Sequence, residues 1–319
     1  MPYRTKRIKA RAPRRRRYAR TTRRNGGGYR STRRGRGIRY RGRRRGVSTR
    51  SLLNITSMKK QDNMLSASNT IGTGASAPTE IRPLFINGST GYGYVLWNAT
   101  ARNMVTSGAP NTITEKSDRT STTCYMRGLR EVLRIQTSTP LPWVWRRICF
   151  TTKDDIFTAK VNGDQAPTNT YRPYFDNLTG NIGMMRNWFN MQVNNMPNTV
   201  DVFNGIIFQG ENGKDWSNIL NAKTDSTRIS LKSDTQISLH TGNQSGYFKT
   251  HKRWYPMNKN LVYDDDENGA SETSRYFSTA AKPGMGDYYV LDIFVPGLGG
   301  TTSDLLNIDS QATLYWHEK

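Results

Sequence analysis

The side chains best suited to chemistry in this sequence are arginines, most of them near the N-terminus. Residues 1–50 contain 20 Arg and 2 Lys, and no Asp or Glu occurs before Asp62. Guanidinium groups bind phosphate oxygens in pairs and stack on bases. Three tyrosines at intervals of eleven residues add rings that can stack on unpaired bases. The pattern predicts nucleic-acid binding by Arg4, Lys6, Arg7, Lys9, Arg11, Arg14, Arg15, Arg16, Arg17, Tyr18, Arg20, Arg23, Arg24, Tyr29, Arg30, Arg33, Arg34, Arg36, Arg39, Tyr40, Arg41, Arg43, Arg44, Arg45 and Arg50.

The positive charge is confined to one end of the chain. The formal net charge is +24, and residues 1–60 supply all of it, because the rest of the chain holds 24 basic and 24 acidic side chains. Residues 1–46 contain too few apolar side chains to offset the entropy lost on folding. We therefore expect a disordered basic arm, residues 1–46, and an electrically balanced folded body, residues 47–319. A solvated tail without a partner is the alternative for the arm; membrane binding would require an apolar face that it lacks.

Clusters of basic residues are also typical of nuclear import signals. The strongest clusters are Arg14, Arg15, Arg16, Arg17 and Arg43, Arg44, Arg45, with Arg23–Arg24 between them. The arm is therefore expected to bind a nuclear import receptor as well as nucleic acid.

The body offers little for catalysis. Its three histidines, His240, His251 and His317, have no metal-binding spacing, and neither a nucleophile elbow nor a phosphate-binding glycine loop occurs. We expect no enzyme activity and no cofactor. The carboxylates of Asp264–Glu267 could attract a hard cation, but the following glycine comes too late for a calcium loop. An acidic solvated loop, or one that contacts a basic loop of a neighbouring subunit, is the preferred interpretation.

Cysteine content and hydropathy exclude other classes of protein. Cys124 and Cys149 lie on different predicted strands, so two buried free thiols are expected, with a bridge between neighbouring strands as the alternative. Two cysteines in a chain of this length indicate a reducing compartment. No stretch approaches the roughly 18 uninterrupted apolar residues of a membrane span, and the N-terminus lacks the apolar core of a secretory signal.

The sequence of the body predicts a series of strands. Apolar and polar residues alternate, or form short apolar runs, in nine segments separated by turn-forming residues: Ser51–Leu65, Gly93–Thr100, Thr123–Thr137, Trp143–Thr152, Val200–Phe208, Arg228–His240, Tyr247–Tyr263, Asp287–Val295 and Ala312–His317. Two short helices are expected at Asn181–Met196 and at Asp215–Lys223, the second with Asp215 as N-cap. Asp154–Pro173 and Asn258–Glu272 are expected to be long loops. This order predicts an all-β sandwich or barrel.

The tryptophans are expected mainly in the core or in subunit contacts. Trp143 and Trp145 should point to one face of their strand, with Arg146 on the other. Base stacking by one of the seven tryptophans is the alternative.

Several segments of the sequence resemble the capsid proteins of genomoviruses, which are circular single-stranded DNA viruses associated with fungi. More distantly, the sequence resembles geminivirus coat proteins. The segments are LLNITSMKKQDNML (52–65), CYMRGLRE (124–131), PWVWRRICF (142–150), RWYPMNKNLVYDDDENG (253–269) and KPGMGDYYVLDIF (282–294). The similarity covers most of the chain and is weakest in the loops at 67–87 and 154–177.

The resemblance implies an eight-stranded antiparallel jelly-roll sandwich that forms pentamers and a sixty-subunit icosahedral shell. It implies packaging of viral circular single-stranded DNA and a location in the virion and the host nucleus, with no membrane partner. Two other classes stay open. One is a cellular or ribosomal RNA-binding protein with a basic extension, although such a protein would usually spread positive charge over its folded body. The other is a secreted lectin-like jelly roll, a class in which a basic arm is not expected.

Overall fold

A computed structural model describes residues 48–106, 108–164, 169–178, 182–242 and 244–319. The basic arm and its predicted nucleic-acid-binding and import residues therefore lie outside the described residues. Of these residues, only the backbone of Arg50 is described: it belongs to the first helix, and its side chain is not described.

The described chain forms sixteen strands and two α-helices. The helices are α1 (Thr49–Thr56) and α2 (Pro197–Ile207). The strands are β1 (Met58–Thr70), β2 (Ser76–Ile81), β3 (Leu84–Asn87), β4 (Gly93–Asn98), β5 (Val105–Thr106), β6 (Ala109–Pro110), β7 (Thr123–Thr137), β8 (Trp143–Thr152), β9 (Phe175–Asn177), β10 (Gly183–Trp188), β11 (Ser230–Leu239), β12 (Phe248–Val262), β13 (Asp266–Asn268), β14 (Ser271–Thr273), β15 (Asp287–Pro296) and β16 (Leu305–Glu318). The prediction of a mostly β protein is confirmed.

Two large sheets organise the body. The first has the strand order β12-β7-β16-β1-β10-β9, with β2 paired to β1 and β3 to β16; the second has the order β11-β8-β15-β4. Within these sheets β1 and β10 run parallel, whereas the other described pairs are antiparallel. Apolar side chains from both sheets meet in shared cores, for example Leu314 and Trp316 of β16 with Val290 of β15.

Strand alternation explains which side of each sheet is buried. In β7, Leu129, Leu133 and Ile135 are buried in the core, whereas Arg130 and Arg134 between them are exposed. In the second sheet, β8, β15 and β4 are buried on both sides, whereas the edge strand β11 is mostly exposed. The outer side of this sheet is covered by α2 and the 155–158 turn, which contribute to a separate apolar cluster. As a result, the first sheet presents the broader solvent-exposed face.

A buried ion-pair network connects the two sheets. Arg147 of β8 pairs with Asp292 of β15, its Nε 2.6 Å from Oδ1, and also with Glu131 of β7. Arg186 of β10 completes the network, with Nε 3.0 Å from Oε1 of Glu131 and Nη2 2.6 Å from Oδ2 of Asp292. All four side chains are 0–1% exposed. Two guanidinium groups thus neutralise two carboxylates at the sheet interface.

Aromatic side chains enclose this network. The Trp145 indole N–H donates to Asp292 Oδ1 at 2.8 Å, and the Arg186 guanidinium lies 3.7 Å from the Trp188 ring centroid and 4.3 Å from that of Trp97. Burial tends to raise the pKa of Asp292, but the positive charges of Arg147 and Arg186 outweigh it and hold that pKa below its usual value. Asp292 therefore stays ionised, and every member of the network keeps a charged partner.

Three of the segment predictions are wrong about secondary structure. Val200–Phe208 is not a strand, because Pro197 begins a helix and Val200, Phe203 and Ile207 are buried at helical spacing. Asn181–Met196 is not a helix: Gly183–Trp188 forms β10, whose central residues are buried on both sides. Asp215–Lys223 forms turns instead of a helix, and the Asp215 carboxylate accepts from the Glu211 N–H.

Two further boundaries differ from expectation. The first half of the predicted strand Ser51–Leu65 is helix α1, because Ser48 Oγ accepts the N–H of Ser51 as an N-cap. The predicted loop Asn258–Glu272 instead contains the end of β12 and the β13–β14 hairpin. The strands predicted at Thr123–Thr137 and Trp143–Thr152 are confirmed with the same bounds.

The buried network predicts a large and site-specific loss of stability. Replacing Arg186 by methionine should lower the free energy of unfolding by about 3–5 kcal/mol, because two buried carboxylates would then share one cation. The matched control is Arg134→Met, since Arg134 pairs with Asp309 where both side chains are about half exposed; it should cost at most about 1 kcal/mol. Urea unfolding of the unassembled protein measures both. Equal losses for the two variants would contradict this account of the network.

Candidate nucleic-acid interface

The solvent-exposed side of the first sheet brings basic and aromatic side chains together. Four adjacent strands contribute, and the cross-strand register places their outward residues in rows. One row runs Trp254, Arg130, Thr313 and Asn63 from β12 to β1. We call this surface the basic face; its residues are Lys252, Trp254, Tyr125, Arg127, Arg130, Arg134, Asp309, Gln311, Thr313, Tyr315, His317, Lys59, Gln61 and Asn63, of which Thr313 is buried.

The basic face carries a marked excess of positive charge. It holds five Lys or Arg side chains and a single carboxylate, that of Asp309. Among the described residues, the one ion pair on this face joins Arg134 to Asp309 at 3.0 Å. Arg130, Lys252 and the remaining cations therefore keep their charge for an external anion. The body is neutral as a whole, but this surface is not.

Aromatic rings lie among these cations. The Trp254 side chain is 48% exposed, and its ring centroid lies 5.8 Å from that of Tyr315. The indole packs over Gly128, where a Cβ atom would come within 2.7 Å of the ring. Glycine at this position thus allows the indole to lie against the sheet. Most of the tryptophans are core residues, as expected: Trp97, Trp143, Trp145, Trp188 and Trp316 are buried, whereas Trp254 is half exposed.

His317 does not add to the charge of the basic face. Partial burial lowers its pKa below the ordinary value, and the positive charges of Lys59 and Arg127 lower it further. The imidazole is therefore neutral at pH 7, and the charge of the basic face comes from lysine and arginine alone. A surface of fixed cations and exposed rings can bind phosphates and unpaired bases together.

The sequence-predicted acidic loop is divided by the fold. Asp264, Asp266 and Glu267 are exposed, as expected. The Asp265 carboxylate, in contrast, is buried and accepts from Nη1 and Nη2 of Arg119, at 2.6 and 2.9 Å. The expectation of a uniformly solvated loop, or one reserved for a neighbouring subunit, is therefore wrong at Asp265. Within the described residues, no group of three or more His, Cys, Asp or Glu side chains could hold a metal ion.

The two cysteines are buried free thiols, which confirms the preferred interpretation over the bridge. Burial raises the pKa of Cys149 to about 12 and the pKa of Cys124 still further above its usual value. Both sulfurs are thus protonated and packed in the core. Trp143 and Trp145 share the inner side of β8, as predicted, while Arg146 lies on the outer side beside Phe208.

The body residues of the basic face were not identified as binding residues from the sequence. The sequence did contain an indication of this surface, because Arg130 and Arg134 occupy outward positions of a correctly predicted strand. What the sequence lacked was the adjacency of β7, β12 and β16, which are far apart along the chain but neighbours in the sheet.

No helix in the described residues is long and apolar enough to cross a membrane. In comparisons with known proteins, no family model and no curated protein matches this chain.

Proposed function

We propose that this chain is a viral capsid protein that self-assembles into a small icosahedral shell and packages circular single-stranded DNA. The observation that carries the proposal is the segregation of charge. The N-terminal 60 residues supply the whole net charge of +24, while the remaining chain is balanced; one side of the first sheet, the basic face, carries a local excess of cations. The resemblance of several sequence segments to genomovirus capsid proteins supports the same function.

The strand order supports a jelly roll. Two blocks of four adjacent strands, one in each large sheet, comprise β1, β4, β7, β8, β11, β12, β15 and β16; β10 and β9 extend the first block beyond β1. Counted from first to eighth, they lie in the order 6-3-8-1 in one sheet and 5-4-7-2 in the other. Two Greek keys that fold together produce this interleaved order, which is the arrangement used by many capsid domains.

The proposed mechanism is electrostatic condensation of DNA. In a sixty-subunit shell the arms, with 21 Lys or Arg each, would contribute about 1,300 positive charges, enough to neutralise a similar number of phosphates and release their counterions. A neutral body suits such a shell, because strongly cationic subunits would repel one another at their contacts. Binding through phosphates and stacking should be independent of DNA sequence and should favour unpaired strands.

Removal of the arm tests this mechanism. A variant that lacks residues 1–46 should bind oligo-dT much more weakly and with a far shallower dependence on salt, because it loses most of the phosphate contacts that release counterions. Titration of the full-length and truncated proteins at several salt concentrations measures both quantities. Unchanged affinity and unchanged salt dependence would refute the assignment of DNA binding to the arm.

The arm is also proposed to direct nuclear import, since a virus that relies on host DNA polymerases needs the nucleus. A fluorescent reporter fused to residues 1–50 should accumulate in the nucleus, and replacement of Arg14–Arg17 and Arg43–Arg45 by glutamine should reduce that accumulation. Imaging of living cells provides the measurement. If the reporter fused to the unsubstituted residues 1–50 stays in the cytoplasm, the arm does not direct nuclear import.

A further inference from the structure

One end of the basic face contains a pocket of about 450 Å³, within the size range of small-ligand sites. It is lined by four basic residues, Lys59, Lys60, Lys116 and Arg127, by the rings of Trp254, Tyr315, Trp316 and His317, and by Gln61. No carboxylate lines it in the described part of the chain. We call this site the Trp254 pocket. Its charge and its rings suit an anion that carries an aromatic group.

The backbone holds the cations of the Trp254 pocket in place. The Lys59 ammonium donates to the Asn54 carbonyl at 2.6 Å, at the C-terminal end of α1. The Lys116 carbonyl accepts the N–H of Gln61 at 2.9 Å, which fixes the loop against the edge of β1. Neither lysine forms an ion pair with a described carboxylate. Lys59 is thus held by its ammonium group and Lys116 by its backbone, and neither is neutralised.

A β-bulge directs Arg127 into the pocket. Along β16, Tyr315 is paired with Gly128 and Trp316 with Met126, so Arg127 is the extra residue of β7. Bulges re-aim side chains in this way. The Arg127 guanidinium donates to the Asn258 side-chain oxygen, a neutral partner that orients the group and leaves its charge available.

Lys60 shows by contrast what a structural cation looks like in this protein. It neighbours Lys59 but points inward, is 3% exposed, and pairs with Glu318 at 3.2 Å. Its ammonium also donates to the Asp118 carbonyl and the Thr120 hydroxyl. Lys60 also lines the pocket but is fully engaged within the fold, whereas Lys59, Lys116 and Arg127 have no acidic partner among the described residues.

The rings of the pocket favour an unpaired base. Trp254 and Tyr315 meet at 58° and not in parallel, so the two rings do not stack on each other. The half-exposed indole leaves one side open to a flat partner. A base inside a duplex is already stacked on both sides and cannot use this surface, whereas a single-stranded base can.

We propose that the Trp254 pocket binds one nucleotide of single-stranded DNA, with its base stacked on Trp254 and its phosphate held by Lys59, Lys116 and Arg127. This inference rests on the proposed function and adds a defined contact in the body to the binding by the arm. Stacking and charge are both indifferent to base identity, so the pocket is independent of sequence.

Photo-cross-linking of the full chain to a single-stranded oligonucleotide that contains 5-bromouracil tests the pocket. Mass spectrometry of the digested complex should locate a cross-link at Trp254 or Tyr315. Trp254→Ala should reduce the cross-linking yield in this peptide region at least tenfold, since stacking on one ring dominates the contact. Lys116→Gln should reduce the yield at Trp254 severalfold. Lys116 is exposed in a loop, so this second variant tests the pocket without altering the sheet.

Two controls separate the pocket from general binding. Phe248→Ala removes another exposed aromatic of β12, 69% exposed and outside the pocket, and should leave the yield at Trp254 unchanged. Lys214→Gln removes an exposed lysine that pairs with Glu211, and should have no effect. Unlabelled single strands should compete with the cross-link far better than duplex of the same length.

The result that overturns the inference differs from failure of the proposed function. If the full chain binds DNA but cross-links only through residues 1–46, or if duplex competes as well as single strands, the pocket is not a nucleotide site and the arm mechanism stands. If the full chain binds no single-stranded DNA at all, the proposed function fails together with the inference.

Discussion

The fold of the body depends on a charged interaction in an apolar setting: Arg147 and Arg186 neutralise Glu131 and Asp292 between the two sheets. Burying four charges is expensive, and the cost is offset only if each keeps its partner and its hydrogen bonds. This requirement fixes β7, β8, β10 and β15 relative to one another, because each strand supplies one member. An apolar core could tolerate small slips of one sheet over the other, whereas this network has a defined arrangement of donors and acceptors.

The same arrangement separates structural charge from charge that remains available. Inward-facing cations such as Arg119 and Lys60 are matched by Asp265 and Glu318, so they contribute nothing to the surface. Outward-facing cations of β7 and β12 lack such partners, apart from Arg134. One side of the first sheet is consequently basic while the body as a whole is neutral. Under the proposed function, this surface would add to the charge of the arm.

Strand prediction succeeded at β7, because a buried side and an exposed side leave a period of two in the sequence, and at β8, whose aromatic and β-branched residues favour a strand although both of its sides are buried. It failed at β10, since a strand buried on both sides has no such period, and at α2, where Val200 and Phe203 suit either structure. The inward turn of Asp265 depends on Arg119, which lies 146 residues away. Pairing between distant residues also creates the basic face, so the sequence could supply its side chains but not their adjacency.

The central claim is that the charge of the arm is used inside a closed shell. The most direct measurement is cryo-electron microscopy of full-length protein expressed in cells, combined with extraction of nuclease-resistant nucleic acid from the same preparation. The account predicts uniform spherical particles that protect single-stranded DNA. A protein that stays monomeric under all conditions of salt and DNA concentration, or that forms particles devoid of single-stranded DNA in its presence, would contradict it.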